Sequence, residues 1–148
     1  MYRIFLLITG LIFIVAPTMA SDFPINNPQP TIEELYAYPQ GKNKSEAIIF
    51  YNSNLPYQNQ NDVINKTYTF IKENYPANLQ LYVIDVAQDM TYLHFFKLTT
   101  TISLALAKIQ DSAALGYKTM ENLQAQIEEP EIYKQQLREF IDNFLIYE

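Results

Sequence analysis

Asp85 and Asp89, close together after an apolar run, and His94, the chain's single histidine, are the side chains whose spacing suits acid–base or metal chemistry. Two carboxylates and an imidazole can move a proton or hold a divalent ion if the fold makes them converge. Each also has a plainer structural account. Asp85 ends an apolar strand, Asp89 stands where a helix needs an N-cap, and His94 sits in a short apolar segment as a surface or half-buried imidazole. With no second histidine and no cysteine, a zinc site lacks ligands. Glu128, Glu129 and Glu131 surround Pro130 at the start of a helix, where they complement the dipole; a calcium site is the alternative. The lack of cysteine excludes thiolate chemistry and disulfides together.

Composition narrows the classes further. The 148 residues carry a formal charge of −6, which repels phosphate backbones, so nucleic acid is not an expected partner. Arg3, the apolar run Ile4 to Ala16, Pro17, and the small residues Thr18 and Ala20 have the pattern of a cleavable signal peptide over residues 1–20. That run is shorter than the roughly 20 residues a membrane span needs, so no stable anchor is expected after cleavage, and the location is periplasmic or secreted. Cleavage removes Arg3 and no acid, making the remainder more negative. Asn43-Lys44-Ser45 and Asn65-Lys66-Thr67 match the glycosylation pattern, relevant only in a eukaryotic host.

The elements that would position these groups follow from periodicity. Residues 21–45, with Pro24, Pro28, Pro30 and Pro39, read as an extended arm in which Thr31 and Glu34 stand at capping-box spacing. Residues 46–148 read as one domain. Ala47–Tyr51 is a buried strand, Asn52–Asn61 a polar loop, and Val63, Ile64, Tyr68, Phe70 and Ile71 mark a helix that Asn74-Tyr75-Pro76 stops. Leu79–Val86 is a second strand and Tyr92–Leu98 a short helix. Thr99–Ile109 is a third strand that turns at Gln110-Asp111-Ser112 into a fourth over Ala113–Lys118. Pro130 opens an amphipathic C-terminal helix carrying Ile132, Tyr133, Leu137, Phe140, Ile141, Phe144 and Leu145.

Strand, helix, strand, helix, strand, strand, helix is the thioredoxin order. In Ile48-Ile49-Phe50-Tyr51-Asn52-Ser53, Val83-Ile84-Asp85, Leu104–Ser112 and Gly116-Tyr117-Lys118 the sequence resembles exported thioredoxin-like proteins loosely called nitroreductase subunits. The resemblance implies an α/β fold with a central four-stranded mixed sheet flanked by helices. It places Tyr57 and Gln60 where such families carry a Cys-x-x-Cys pair, and Ile102, followed by Ser103, where thioredoxins carry a cis-proline. Neither phenol nor amide replaces a thiolate, so thiol–disulfide exchange is not implied, and no cofactor is.

Two function classes remain. One is a non-catalytic module that binds a peptide or protein through Tyr57, Gln60, Ile102, Ser103 and Tyr117, with Tyr51 close by; aromatic residues at an edge favour partner contacts. The other is an enzyme using Asp85, Asp89 or His94, with or without a metal. An enzyme requires titratable groups that converge in a pocket; a binding module requires an accessible edge.

Overall fold

Alternation of apolar side chains along β1 (Asn43–Tyr51) determines how the molecule is layered. In the computed structural model, which describes residues 29–37, 43–55, 59–111 and 113–146, β1 is buried from Glu46 to Tyr51 on both faces. Such a strand must lie inside a sheet with cover on each side. It pairs in parallel with β2 (Gln80–Asp85) and antiparallel with β3 (Ser103–Gln110), which pairs antiparallel with β4 (Ala113–Met120). The strand order is β2-β1-β3-β4. Register sets Ile48 beside Tyr82 and Ala105, and Phe50 beside Ser103. Because β1 and β3 are antiparallel, the loop leaving β1 and the segment entering β3 emerge at the same end of the sheet.

One face packs Ala47 and Ile49 against Val63, Ile64 and Ile71 of α2 (Gln60–Asn74) and Tyr133, Leu137 and Ile141 of α5 (Pro130–Ile146). The Thr67 and Tyr133 hydroxyls meet at 2.5 Å and tie the two helices through a buried hydrogen bond. The other face packs Ile48 and Phe50 under α1 (Ile32–Tyr36) and α3 (Thr91–Phe95), through Leu35, Tyr36, Tyr92 and Phe96. This is the expected thioredoxin-like α/β fold, with a four-stranded mixed sheet flanked by helices.

Several details differ from the expectations. The capping box forms, with Glu34 N–H donating to Thr31 Oγ1 at 3.2 Å and Thr31 N–H to Glu34 Oε2 at 2.8 Å. Yet the arm is not merely extended, because Leu35 is fully buried, and the boundary expected at residue 45 falls inside β1. The third strand begins at Ser103 rather than Thr99. The Glu121 carboxylate accepts from the Thr99 amide and hydroxyl and the Thr100 hydroxyl, holding those β-prone residues outside the ladder. A short α4 (Leu123–Gln126), not anticipated, follows Asn122 in the left-handed region at φ 58°. Residues 1–20 and Tyr57 lie outside the described residues.

Candidate functional site

Asp85, at the end of β2, is the group that organises the sheet end where β1 exits. It is 4% exposed, and its Oδ1 accepts from the Ser53 and Ala87 amides, each at 3.0 Å. The carboxylate therefore pins the loop after β1 to the loop after β2. The Gln29 side chain completes this corner: its Nε2 donates to the Asp85 carbonyl at 3.0 Å, and its Oε1 accepts from the Asp85 amide. A side-chain amide thus occupies the backbone groups that edge strand β2 turns outward.

From this corner the chain makes a polar turn, with Asn54 N–H donating to Asn52 Oδ1 at 2.9 Å and Leu55 N–H to the Asn52 carbonyl at 3.1 Å. Leu55 is 39% exposed. Asn59 precedes α2 without capping it through its side chain. Gln60, the first residue of α2, is half-buried, and its Oε1 is buried with no hydrogen-bond partner.

On the facing segment the Thr101–Ile102 peptide bond is cis, at the position where the resemblance put the cis-proline of thioredoxins. Ile102 N–H donates to Gln124 Oε1 and Gln124 Nε2 donates to the Thr101 carbonyl, both at 3.0 Å, while the Ile102 carbonyl accepts from Leu123 N–H. Thr101 Oγ1 is buried and unpartnered.

These placements change the expected binding residues. Ile102 is fully buried in the core beside Val63 and Ile64, and Ser103 is buried with its hydroxyl donated to the Thr100 carbonyl. Neither offers a side-chain surface, because the apolar end of β3 is more stable covered than wet. Tyr117 does not join Gln60: it stacks edge-on with Phe96, centroids 5.4 Å apart, on the face opposite α2. It lines a cavity of about 570 Å³ with Lys44, Leu115 and Phe144, away from the sheet end where Gln60 and Thr101 lie. Tyr51 is buried, and burial followed by the Asp85 carboxylate holds its phenol above the ordinary value.

The acid–base candidates are engaged separately. Asp89 Oδ1 accepts from the Thr91 amide and hydroxyl, which hold its carboxyl below the usual range, and the helix itself begins after Met90. His94 is exposed at the end of α3. Glu131 pairs with Lys134 at 3.3 Å on the surface of α5. Among the described residues no three histidine, aspartate or glutamate side chains gather as a metal site.

Sequence reasoning passed over Gln29, Gln124 and Glu46. A glutamine that pairs with backbone leaves no periodic trace in a sequence. Glu46 could have been noticed as an acid adjoining the apolar run of β1. It is fully buried, with Lys44 Nζ 2.5 Å from Oε1 and no partner on Oε2. Burial pushes its carboxyl above the ordinary value, and Lys44 opposes that shift.

The strand order and connections define a thioredoxin-like fold, here without the cysteines that give that fold its redox chemistry. No family model matches the chain, and no curated protein does. Among solved structures, mitochondrial thioredoxin 3 from Saccharomyces cerevisiae is similar at 17% identity, over 59% of this chain and 76% of that one, with a TM-score of 0.41. A structure describing thiol resolution in yeast mitochondrial 1-Cys peroxiredoxin is similar at 17% identity, over 65% and 81%, with a TM-score of 0.43. A designed protein is similar at 12% identity, over 64% and 76%, with a TM-score of 0.41. No helix among the described residues is long and apolar enough to cross a membrane.

Proposed function

We infer that this protein is an exported, non-catalytic thioredoxin-like module that holds a peptide or protein segment at the sheet end formed by Asn52–Leu55, the start of α2 and Thr99–Ile102. The observation that carries the reading is the pair of buried, unpartnered side-chain oxygens on the two sides of this end, Gln60 Oε1 and Thr101 Oγ1. Leaving such a group unmet costs about 1–3 kcal/mol, and a bound segment bringing N–H donors removes that cost. The absence of cysteine supports a holding role over disulfide exchange. The engagement of Asp85 with two backbone amides supports a structural role for that carboxylate rather than a catalytic one. Export rests on the pattern of residues 1–20.

The test of binding is hydrogen exchange on the protein with and without reduced, carboxymethylated lactalbumin, an extended polypeptide that cannot exchange disulfides. Protection over residues 52–60 and 99–102 is the expected result. Binding with protection elsewhere, or no binding, contradicts the reading. Export is tested independently by the N-terminus of protein recovered from its host, expected at Ser21; an intact Met1 contradicts it.

A further inference from the structure

Glu46 lies on the sheet face that α1 and α3 cover. Strand alternation turns it to the side of Ile48 and Phe50, and register sets it between Gln80 of β2 and Ala107 of β3, with Tyr117 of β4 next in the row. Its carboxylate is fully buried, yet Oε2 has no hydrogen-bond partner. Lys44 Nζ stands 2.5 Å from Oε1 and 5.9 Å from the centre of the Tyr82 ring. Tyr36, the last residue of α1, packs in one apolar cluster with Ile48 and Ala107, and its buried Oη is also without a partner. The rings of Tyr36, Phe95, Phe96 and Tyr117 follow one another at 5.3, 5.1 and 5.4 Å, so α1 is joined through the end of α3 to the row that holds Glu46. Among the described residues the titratable groups packed around the carboxylate are therefore Lys44, Tyr36, Tyr82 and Tyr117, whereas Glu33, Glu34 and His94 of the two covering helices are exposed.

We propose that α1 is a lid over Glu46, closed while that carboxyl is protonated and opening when it ionises. The helix is lightly held. Its five residues are too few to stand as an isolated helix, and it is anchored by Leu35 and Tyr36 in the apolar cluster, by its capping box, and by the pairing of Gln29 with the Asp85 backbone. β1 is fixed between two strands, so the element that can give Glu46 access to water is the helix. A neutral carboxyl is tolerated here, whereas a carboxylate with one oxygen unmet is strongly disfavoured, and the Lys44 ammonium offsets part of that cost. Burial raises the carboxyl above its ordinary value, and Lys44 opposes the shift. Ionisation above the ordinary carboxyl range therefore favours the open form. Opening uncovers Ile48 and withdraws Gln29 from the outward backbone of β2, leaving an edge strand that is capped in acid and available near neutral pH. The lid is independent of the Gln60–Thr101 reading, and either can fail alone.

The chain has no cysteine, so one introduced thiol reports opening without interference. Leu35→Cys puts the thiol on α1 and Val63→Cys puts it on α2 across the sheet, both at fully buried positions. Reaction with 4,4′-dithiodipyridine is timed at each pH and divided by the rate of the same variant unfolded in urea, which removes the titration of the thiol itself. Between about pH 5 and about pH 8, protection of the Leu35→Cys thiol is expected to fall about tenfold while that of Val63→Cys stays constant. Adding Glu46→Gln, which keeps the shape of the carboxyl without its charge, is expected to abolish the fall. A dependence owed to His94, Glu33 or Glu34 survives that change and overturns the proposal. Constant protection of the Leu35→Cys thiol also overturns it, as does an equal fall for Val63→Cys, which assigns the change to opening of the whole domain. A Leu35→Cys thiol that reacts at every pH as it does in urea means that the substitution has loosened α1. The Leu35 amide of the unsubstituted chain, which donates to the Thr31 carbonyl at 3.0 Å, then decides by hydrogen exchange: a protection factor that falls by the same amount supports the lid, and a constant one overturns it.

Discussion

The side-chain amide of Gln124 pairs with the backbone at Ile102, accepting from its N–H and donating to the adjoining Thr101 carbonyl, each at 3.0 Å. One amide thereby stands in for a neighbouring strand at the point where β3 enters the sheet. Gln124→Ala leaves a buried donor and acceptor unmet and is expected to lower stability by about 1–3 kcal/mol. Gln124→Glu keeps the acceptor but, when ionised, sets a carboxylate oxygen against the Thr101 carbonyl, so its loss is expected to shrink as pH falls and the protonated acid donates there. Urea denaturation of both variants measures the difference; a neutral Gln124→Ala contradicts the role.

Ile102 tests the distinction between core and surface at the same segment. Its side chain is fully buried, so Ile102→Ala is expected to cost about 2–5 kcal/mol, and a charged replacement to prevent folding. A melting temperature unchanged in Ile102→Ala shows instead that the side chain is exposed in solution.

These two residues also mark what the sequence made legible. The order of elements, the buried run Ala47–Tyr51, the stop at Asn74-Tyr75-Pro76 and the helix opening at Pro130 all follow from local periodicity and punctuation, and the structure contains each. The entrance to β3 was not legible, because Thr99 and Thr100 have strand propensity and only the distant Glu121 carboxylate withdraws them from the ladder. The candidate site suffered in the same way. The resemblance set Ile102 and Ser103 at the start of the third strand as binding residues, but the burial of their side chains depends on α2 and α4 packing over them, which no local pattern reveals. Tyr117 lies on the other face because strand alternation from Ala107 and its partner decides the side, a relation visible only once register is known.

Glu46 predicts a pH dependence with a definite sign. Burial raises its carboxyl in the folded state, so the neutral acid is favoured on folding. Its contribution is fully present below the unfolded carboxyl range and is lost as pH rises through the raised folded value. Glu46→Gln removes that loss. Its stability relative to the parent is expected to improve as pH rises above the ordinary carboxyl range, about 4, in urea titrations. A constant difference as pH rises contradicts the raised carboxyl.

The central claim, that the sheet end at Gln60 and Thr101 is kept unsatisfied for a ligand, is tested most directly by Gln60→Met together with Thr101→Val. Each replacement approximates the side chain's size and removes an unpartnered polar group, so the double variant is expected to match or exceed the parent's stability within about 2 kcal/mol. Its affinity for reduced, carboxymethylated lactalbumin is expected to fall about tenfold, measured by anisotropy beside thermal melts of the same samples. A stable double variant that binds the probe as tightly as the parent contradicts the claim, and a destabilised one shows that the two groups serve the fold.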